Sequence, residues 1–169
     1  MKQVLVVLRG APASGKTTLG ENLRSKEKRI VWLKIDNLKP FFSEDWGDSL
    51  DEVNKLAMEI INSLLDDGYS VVFDGIFKNP DHAKEAVKLA KSKNIPVVIY
   101  QLTCSLATLF ERDKNRPGIK EGHREPLGNE TIESLYNKVL KNPIDGAIEL
   151  DTEKHNLGEC LAIIRKNFD

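Results

Sequence analysis

Val4-Leu5-Val6-Val7-Leu8-Arg9-Gly10-Ala11-Pro12-Ala13-Ser14-Gly15-Lys16-Thr17-Thr18 is the stretch that decides the fold. Its first five residues are an apolar, β-branched run suited to a fully buried parallel strand. Thr18 to Arg24 has the composition of a helix. Between them, Gly10 to Thr17 matches the spacing of a phosphate-binding loop. A strand, a glycine-rich turn and a helix start together aim unpaired backbone N–H groups into a concavity that fits an anion. Gly10 and Gly15 let the backbone approach phosphate with no Cβ in the way. Lys16 is expected to reach the β- and γ-phosphates, and the Thr17 hydroxyl to ligate Mg²⁺. The expected nucleotide-binding set is Gly10, Ala11, Pro12, Ala13, Ser14, Gly15, Lys16, Thr17 and Thr18. Chance alone produces this spacing in well under about one chain in a hundred of this length.

Outward from the loop, strand-like and helix-like segments alternate, which predicts a parallel sheet with helices on both faces. Further strands are expected at Ile30 to Ile35, Ser70 to Phe73, Ile95 to Leu102 and Ala147 to Leu150. Leu50 to Leu65 has one apolar stripe at helical spacing, ended by Asp66-Asp67-Gly68. Pro80 to Lys91, Ser105 to Asn115, Thr131 to Leu140 and Leu157 to Asn167 read as further helices. The expected fold class is a three-layer α/β/α arrangement on a five-stranded parallel sheet, with a small helical lid near residues 112–130. No repeat, low-complexity tract or linker divides the chain, so residues 1–169 are expected to form a single domain.

Composition narrows the function classes. The 169 residues include 25 basic and 26 acidic side chains, a formal net charge of −1. That balance gives no strong signature of duplex nucleic-acid binding. No apolar run approaches the ~20 residues of a membrane span. Cys104 and Cys160 lack metal-ligand spacing, and Cys104, after an apolar strand, suits a buried thiol. Met1-Lys2-Gln3 runs directly into the first strand, and with so few cysteines this predicts a cytoplasmic protein.

Other phosphate-loop proteins need motifs that this chain lacks. Guanine recognition uses Asn-Lys-x-Asp, but Asn54-Lys55 and Asn137-Lys138 are each followed by two apolar residues. The Asp-x-x-Gly switch and the Leu-Ser-Gly-Gly-Gln signature of transporter-type ATPases are absent too. With the loop at Gly10–Thr17 and charged residues near 110–118, the chain resembles the small P-loop kinases. This AAA-like group includes nucleotide kinases, polynucleotide 5′-kinases, gluconate kinases and chloramphenicol phosphotransferases.

That resemblance implies ATP and Mg²⁺ as cofactors, and a set of site residues around the loop. Asp36, at the end of the second strand, faces the ligand crevice of a doubly wound sheet. Related kinases use an aspartate there to orient or deprotonate the acceptor hydroxyl; the alternative is a helix cap for Asn37 to Phe41. Asp74, closing the next buried strand, is expected to support the metal or face the acceptor, rather than only end the strand in an Asp-Gly turn. Arg112 and Arg116, four residues apart on one helix face, resemble the lid arginines that close over the phosphates. The alternative pairs them with Glu111, Asp113, Glu121 and Glu125 on a solvated surface. Lys120, His123 and Arg124 add positive charge beyond them, while His82 and His155 read as surface residues. Lys39 and Phe42 are acceptor-site candidates beside Asp36, with Phe41 and Trp46 nearby as stacking or core residues. Kinases of phosphate-bearing acceptors favour arginine at the position of Lys39. Gluconate kinases have Gly-Asp-x-Leu-His-Pro, of which Asp36, Leu38 and Pro40 are present.

The expected activity is transfer of the γ-phosphoryl of ATP to a hydroxyl on a small molecule or a nucleic-acid end. Polynucleotide or nucleotide kinase activity is the alternative within the class. A nucleotide-binding regulatory module that transfers nothing is the alternative outside it.

Overall fold

In the structure, a computed structural model, residues 2–26, 28–42, 50–116, 118 and 125–169 are described. Five parallel strands form one sheet: β1 (Leu5–Arg9), β2 (Ile30–Lys34), β3 (Ser70–Gly75), β4 (Val97–Thr103) and β5 (Ile148–Asp151). Their spatial order is β2-β3-β1-β4-β5. Strands β1 and β3 are buried along their whole length, as continuous apolar runs in the middle of a parallel sheet should be.

Helices cover both faces: α1 (Lys16–Lys26), α2 (Leu50–Asp66), α3 (Asp81–Ser92), α4 (Leu106–Lys114), α5 (Asn129–Lys141) and α6 (Leu157–Arg165). Alternation along the strands sorts the core into two halves. Leu5, Val7, Val71 and Phe73 pack against Val53, Ala57 and Ile61 of α2 and the alanines at 83, 86 and 90 of α3. Val4, Val6, Leu8 and Val72 pack against Leu19 and Leu23 of α1 and Leu161 and Ile164 of α6. A smaller cluster joins Ala11 of the loop to Leu109 of α4 and Ile132 of α5. The chain leaves β1 toward β2 and β3 on one side, then crosses to β4 and β5 on the other. The crevice at that reversal lies above the carboxyl ends of the strands, and the glycine-rich loop opens into it.

Two local expectations are corrected. Strand β2 ends at Lys34, and Ile35–Phe41 forms a 3₁₀ helix. Lys34 is its cap residue and makes no side-chain cap bond, so Asp36 lies inside the first turn rather than at a cap. Helix α4 ends at Lys114, so Arg116 lies beyond it and does not share its face with Arg112. The lid region 112–130 is only partly described, and residues 117 and 119–124, with Lys120, His123 and Arg124, lie outside the described residues, as does Trp46.

Candidate active site

Strand β1 delivers Gly10 at the top of the sheet, and α1 begins six residues later at Lys16. The loop between them cannot hold a larger residue at its base. A Cβ on Gly10 would sit 2.6 Å from Ser14 Oγ and 2.8 Å from the Leu102 carbonyl oxygen. Ala13 and Gly15 turn the backbone through positive φ, at 65° and 97°. This is the curled conformation that points successive N–H groups inward. Three N–H groups at the start of α1 add their unpaired donors and the positive end of its dipole. The loop is therefore shaped for an anion.

Lys16 is buried within it. Its Nζ donates to the Gly10 and Ala11 carbonyl oxygens at 2.8 Å each, and to Ser14 Oγ at 3.3 Å. Burial pulls its pKa down to about 8, against the opposing pull of Asp74 and Asp36; Lys34 and Arg116 lower it further. Asp74 lies near the end of β3, beside the strand that leads into the loop, and Asp36 follows β2, the next strand out.

Asp74 is buried and stands opposite Leu8 on β1 and Lys34 on β2. Desolvation raises its pKa, while Lys16, Lys34 and a hydrogen bond from Trp32 oppose the rise. Trp32 Nε1 donates to Asp74 Oδ2 at 3.2 Å. The hydroxyl and carboxylate oxygens of Thr17 and Asp74 are the donor type that Mg²⁺ takes. Asp36 forms an ion pair with Lys39 one turn later. Phe42 packs, partly buried, against the α2–α3 half of the core, whereas Phe41 is 78% exposed.

The two arginines diverge. Arg112 donates from NH1 to Thr152 Oγ1 at 2.9 Å and from NH2 to the Thr152 carbonyl at 2.7 Å, beside Cys104. Arg116 instead lies beyond α4 and pairs through Nε with Asp113 Oδ1 at 2.9 Å. Of the carboxylates in the solvated-surface alternative, Asp113 does pair with Arg116, but it is buried. Cys104 and Cys160 are buried free thiols. His155 is exposed; His82 is only half-buried and lies 2.9 Å from Asp51 Oδ1.

Three residues of this region escape a reading by motif: Trp32, Asp113 as a carboxylate bonded to backbone, and Arg9. Arg9 immediately precedes the loop and is 1% exposed. Its guanidinium donates to Gln101 Oε1 at 2.6 Å, the Phe77 carbonyl at 3.2 Å, and the Val139 and Asn142 carbonyls at 3.2 and 2.6 Å. A charged residue in the last position of a buried strand was the available signal.

Residues 5–139 match the family described as AAA domain. The chain belongs to the AAA-domain family. Within it, this AAA domain has the fold of the small P-loop kinases. A sugar kinase from Janibacter sp. superposes with a TM-score of 0.69 at 15% identity, over 100% of this chain and 95% of that one. A gluconokinase from Sinorhizobium meliloti superposes with a TM-score of 0.62 at 18% identity, over 96% and 94% of the two chains. A curated relative, the tRNA modification GTPase MnmE of Finegoldia magna, is 26% identical over 161 residues, which is 85% of this chain. The chain spans 35% of that relative's length. Among the described residues, no helix is long and apolar enough to cross a membrane.

Proposed function

We propose that this protein is an ATP-dependent phosphotransferase that moves the γ-phosphoryl group of ATP to a hydroxyl acceptor. The observation that carries the proposal is a buried lysine bonded to the Gly10 and Ala11 carbonyls of the curled loop, with the buried Asp74 near the end of the adjacent strand β3 and Asp36 in the first turn after β2, the next strand out. A loop that only binds Mg·nucleotide needs one carboxylate, for the metal, and has no use for a second. A phosphotransferase needs one for the metal and one for the incoming alcohol.

In this reading Gly10 to Thr18 hold the phosphate chain by backbone N–H groups. Lys16 exchanges its bonds to the Gly10 and Ala11 carbonyls for phosphate oxygens and stabilises charge on the β/γ side. Mg²⁺, held by Thr17 and Asp74, supplies neutralisation of the phosphate charge when bound. Asp36 accepts a hydrogen bond from the acceptor hydroxyl and takes its proton as transfer proceeds. Lys39 fixes the Asp36 carboxylate, and Phe42 borders the acceptor side. Arg116 neutralises charge on the transferring group, and Arg112 braces the lid base through Thr152. The kinase fold of the neighbours supports this reading. The GTPase activity named for the MnmE relative belongs to that protein, and the guanine motif is absent from this chain.

The test is transfer from γ-labelled ATP with Mg²⁺ to a panel of sugars, nucleosides, antibiotics and a short RNA with a 5′-hydroxyl. Labelling of one small-molecule class is the expected result. Labelling of the RNA alone would make the protein a polynucleotide kinase. ATP binding that Lys16→Ala abolishes, with no acceptor ever labelled, would make it a regulatory module.

A further inference from the structure

Among the described residues, Asp113 is the buried carboxylate to which the proposed reaction gives no part. It lies in the last turn of α4 and is 2% exposed. Its Oδ2 accepts hydrogen bonds from the backbone N–H groups of Leu127 at 2.8 Å and Gly128 at 3.0 Å. Its Oδ1 lies 2.9 Å from Arg116 Nε. Gly128 is the cap residue of α5, has a φ of 83° and lacks a side chain to close the helix end. Asp113 therefore supplies from α4 the anion that the positive end of α5 requires.

The opposite end of α5 is fixed by the opposite charge. Arg9 donates to the carbonyls of Val139 and Asn142, the negative end of the same helix. Arg9 is covalently joined to Gly10, the first residue of the loop. Helix α5 thus spans two buried ionic anchors, one at the foot of the phosphate loop and one at Asp113. A carboxylate held by two backbone N–H groups has little freedom of its own. Arg116 stands against this fixed carboxylate, its Nε 2.9 Å from Oδ1, and α4, which carries Asp113, packs on the loop itself through Leu109 and Ala11.

We infer that Asp113 is a positioning residue for Arg116, setting that guanidinium against the phosphate loop through a helix whose far end Arg9 ties to the loop itself. The inference rests on the phosphotransferase reading, since it assigns Arg116 to the transferring phosphoryl group. It differs from a purely structural role in one respect: it acts on the third phosphate and not on the first two.

The experiment measures the affinity of the full chain for Mg·ADP and for Mg²⁺ with the non-hydrolysable β,γ-imido analogue of ATP, together with the melting temperature. The wild type should prefer the triphosphate analogue. Arg116→Ala should reduce that preference by about tenfold, the loss of roughly one charge-assisted contact. Asp113→Asn should reduce it by a similar factor, and the double variant should lose no more than either single one. If Asp113→Asn does not fold, Asp113→Glu, which keeps the charge but displaces it by a methylene, should show the same loss of preference. A lowered melting temperature with the preference intact in Asp113→Asn or Asp113→Glu would overturn the inference and leave the kinase reading standing. Additive losses in the double variant would overturn it as well. A wild type that binds neither nucleotide would defeat the donor-site reading first and the inference with it, a pattern distinct from the other two.

Discussion

Lys16 is a buried cation held by two carbonyl oxygens and the Ser14 hydroxyl until an anion arrives. With its pKa lowered to about 8 by burial, it still carries a proton at neutral pH but begins to lose it just above. Phosphate oxygens favour the charged form, so nucleotide binding above pH 8 must take up a proton. Affinity for Mg·ATP is expected to be level below about pH 8, then to fall by up to tenfold per pH unit above it, measured by calorimetry in buffers of different ionisation enthalpy. The sign reverses for the empty protein. The unfolded chain holds its lysine proton to about 10.5, so between the two values it binds more protons and folding stability gains from this group as pH rises. Lys16→Met should abolish the affinity step and weaken Mg·ATP binding on the order of a hundredfold, two charge-assisted contacts' worth. Asp36→Asn is a separate case: it keeps the shape beside Lys39 but removes the proton acceptor, and should lower kcat about a hundredfold or more with little change in ATP affinity.

At the scale of the element, Arg9 decides how α5 sits on the sheet. It donates to carbonyls from the segment after β3 and from the end of α5, and to a side chain on β4, all from a buried position. Arg9→Met fills much of the volume but leaves those acceptors dry and unpaired; it should cost about 3 kcal/mol in urea unfolding. Such ties are what the sequence conceals. The strands and helices were legible because each is an apolar run or stripe with a period, and the observed ends differ from the expected ones by only a few residues. The loop was legible because its spacing is tied to one conformation. Asp113 was visible only as a possible surface partner, because nothing local in Arg112-Asp113-Lys114 says that the backbone of residues 127 and 128 will arrive at it. The cap alternative for Asp36 falls for the same reason: the 3₁₀ helix starts at Ile35, two residues before the Asn37 start that the sequence suggests. Arg112 and Arg116 part company because α4 stops at Lys114, one residue short of the expected end, so the four-residue spacing does not put Arg116 on the helix face.

For the whole molecule, the site is a place where stability has been set aside for binding. Lys16 is buried at the cost of its hydration, and Asp74 likewise, with its carboxyl held above the usual range by desolvation. Both costs are relieved when phosphate and metal enter, so ligand should stabilise the fold by more than the closing of a loop would suggest. Binding to the native state alone contributes RT ln(1 + [L]/Kd), about 2.7 kcal/mol at a hundred times Kd. For a chain of this size that corresponds to a rise in melting temperature of roughly 5–10 °C. The rise should need both components, because Asp74 is relieved only by a cation and Lys16 only by an anion. Differential scanning fluorimetry with Mg·ATP, with ATP plus a chelator, and with Mg²⁺ alone separates the contributions. The full shift is expected only with Mg·ATP, a smaller one with ATP and chelator, and almost none with Mg²⁺. In Asp74→Asn the carboxylate cost is already gone: the Mg·ATP and chelated-ATP shifts should then coincide. If they remain as far apart as in the wild type, Asp74 is not the metal's partner, and the carboxylate opposite Lys34 has another purpose in the crevice.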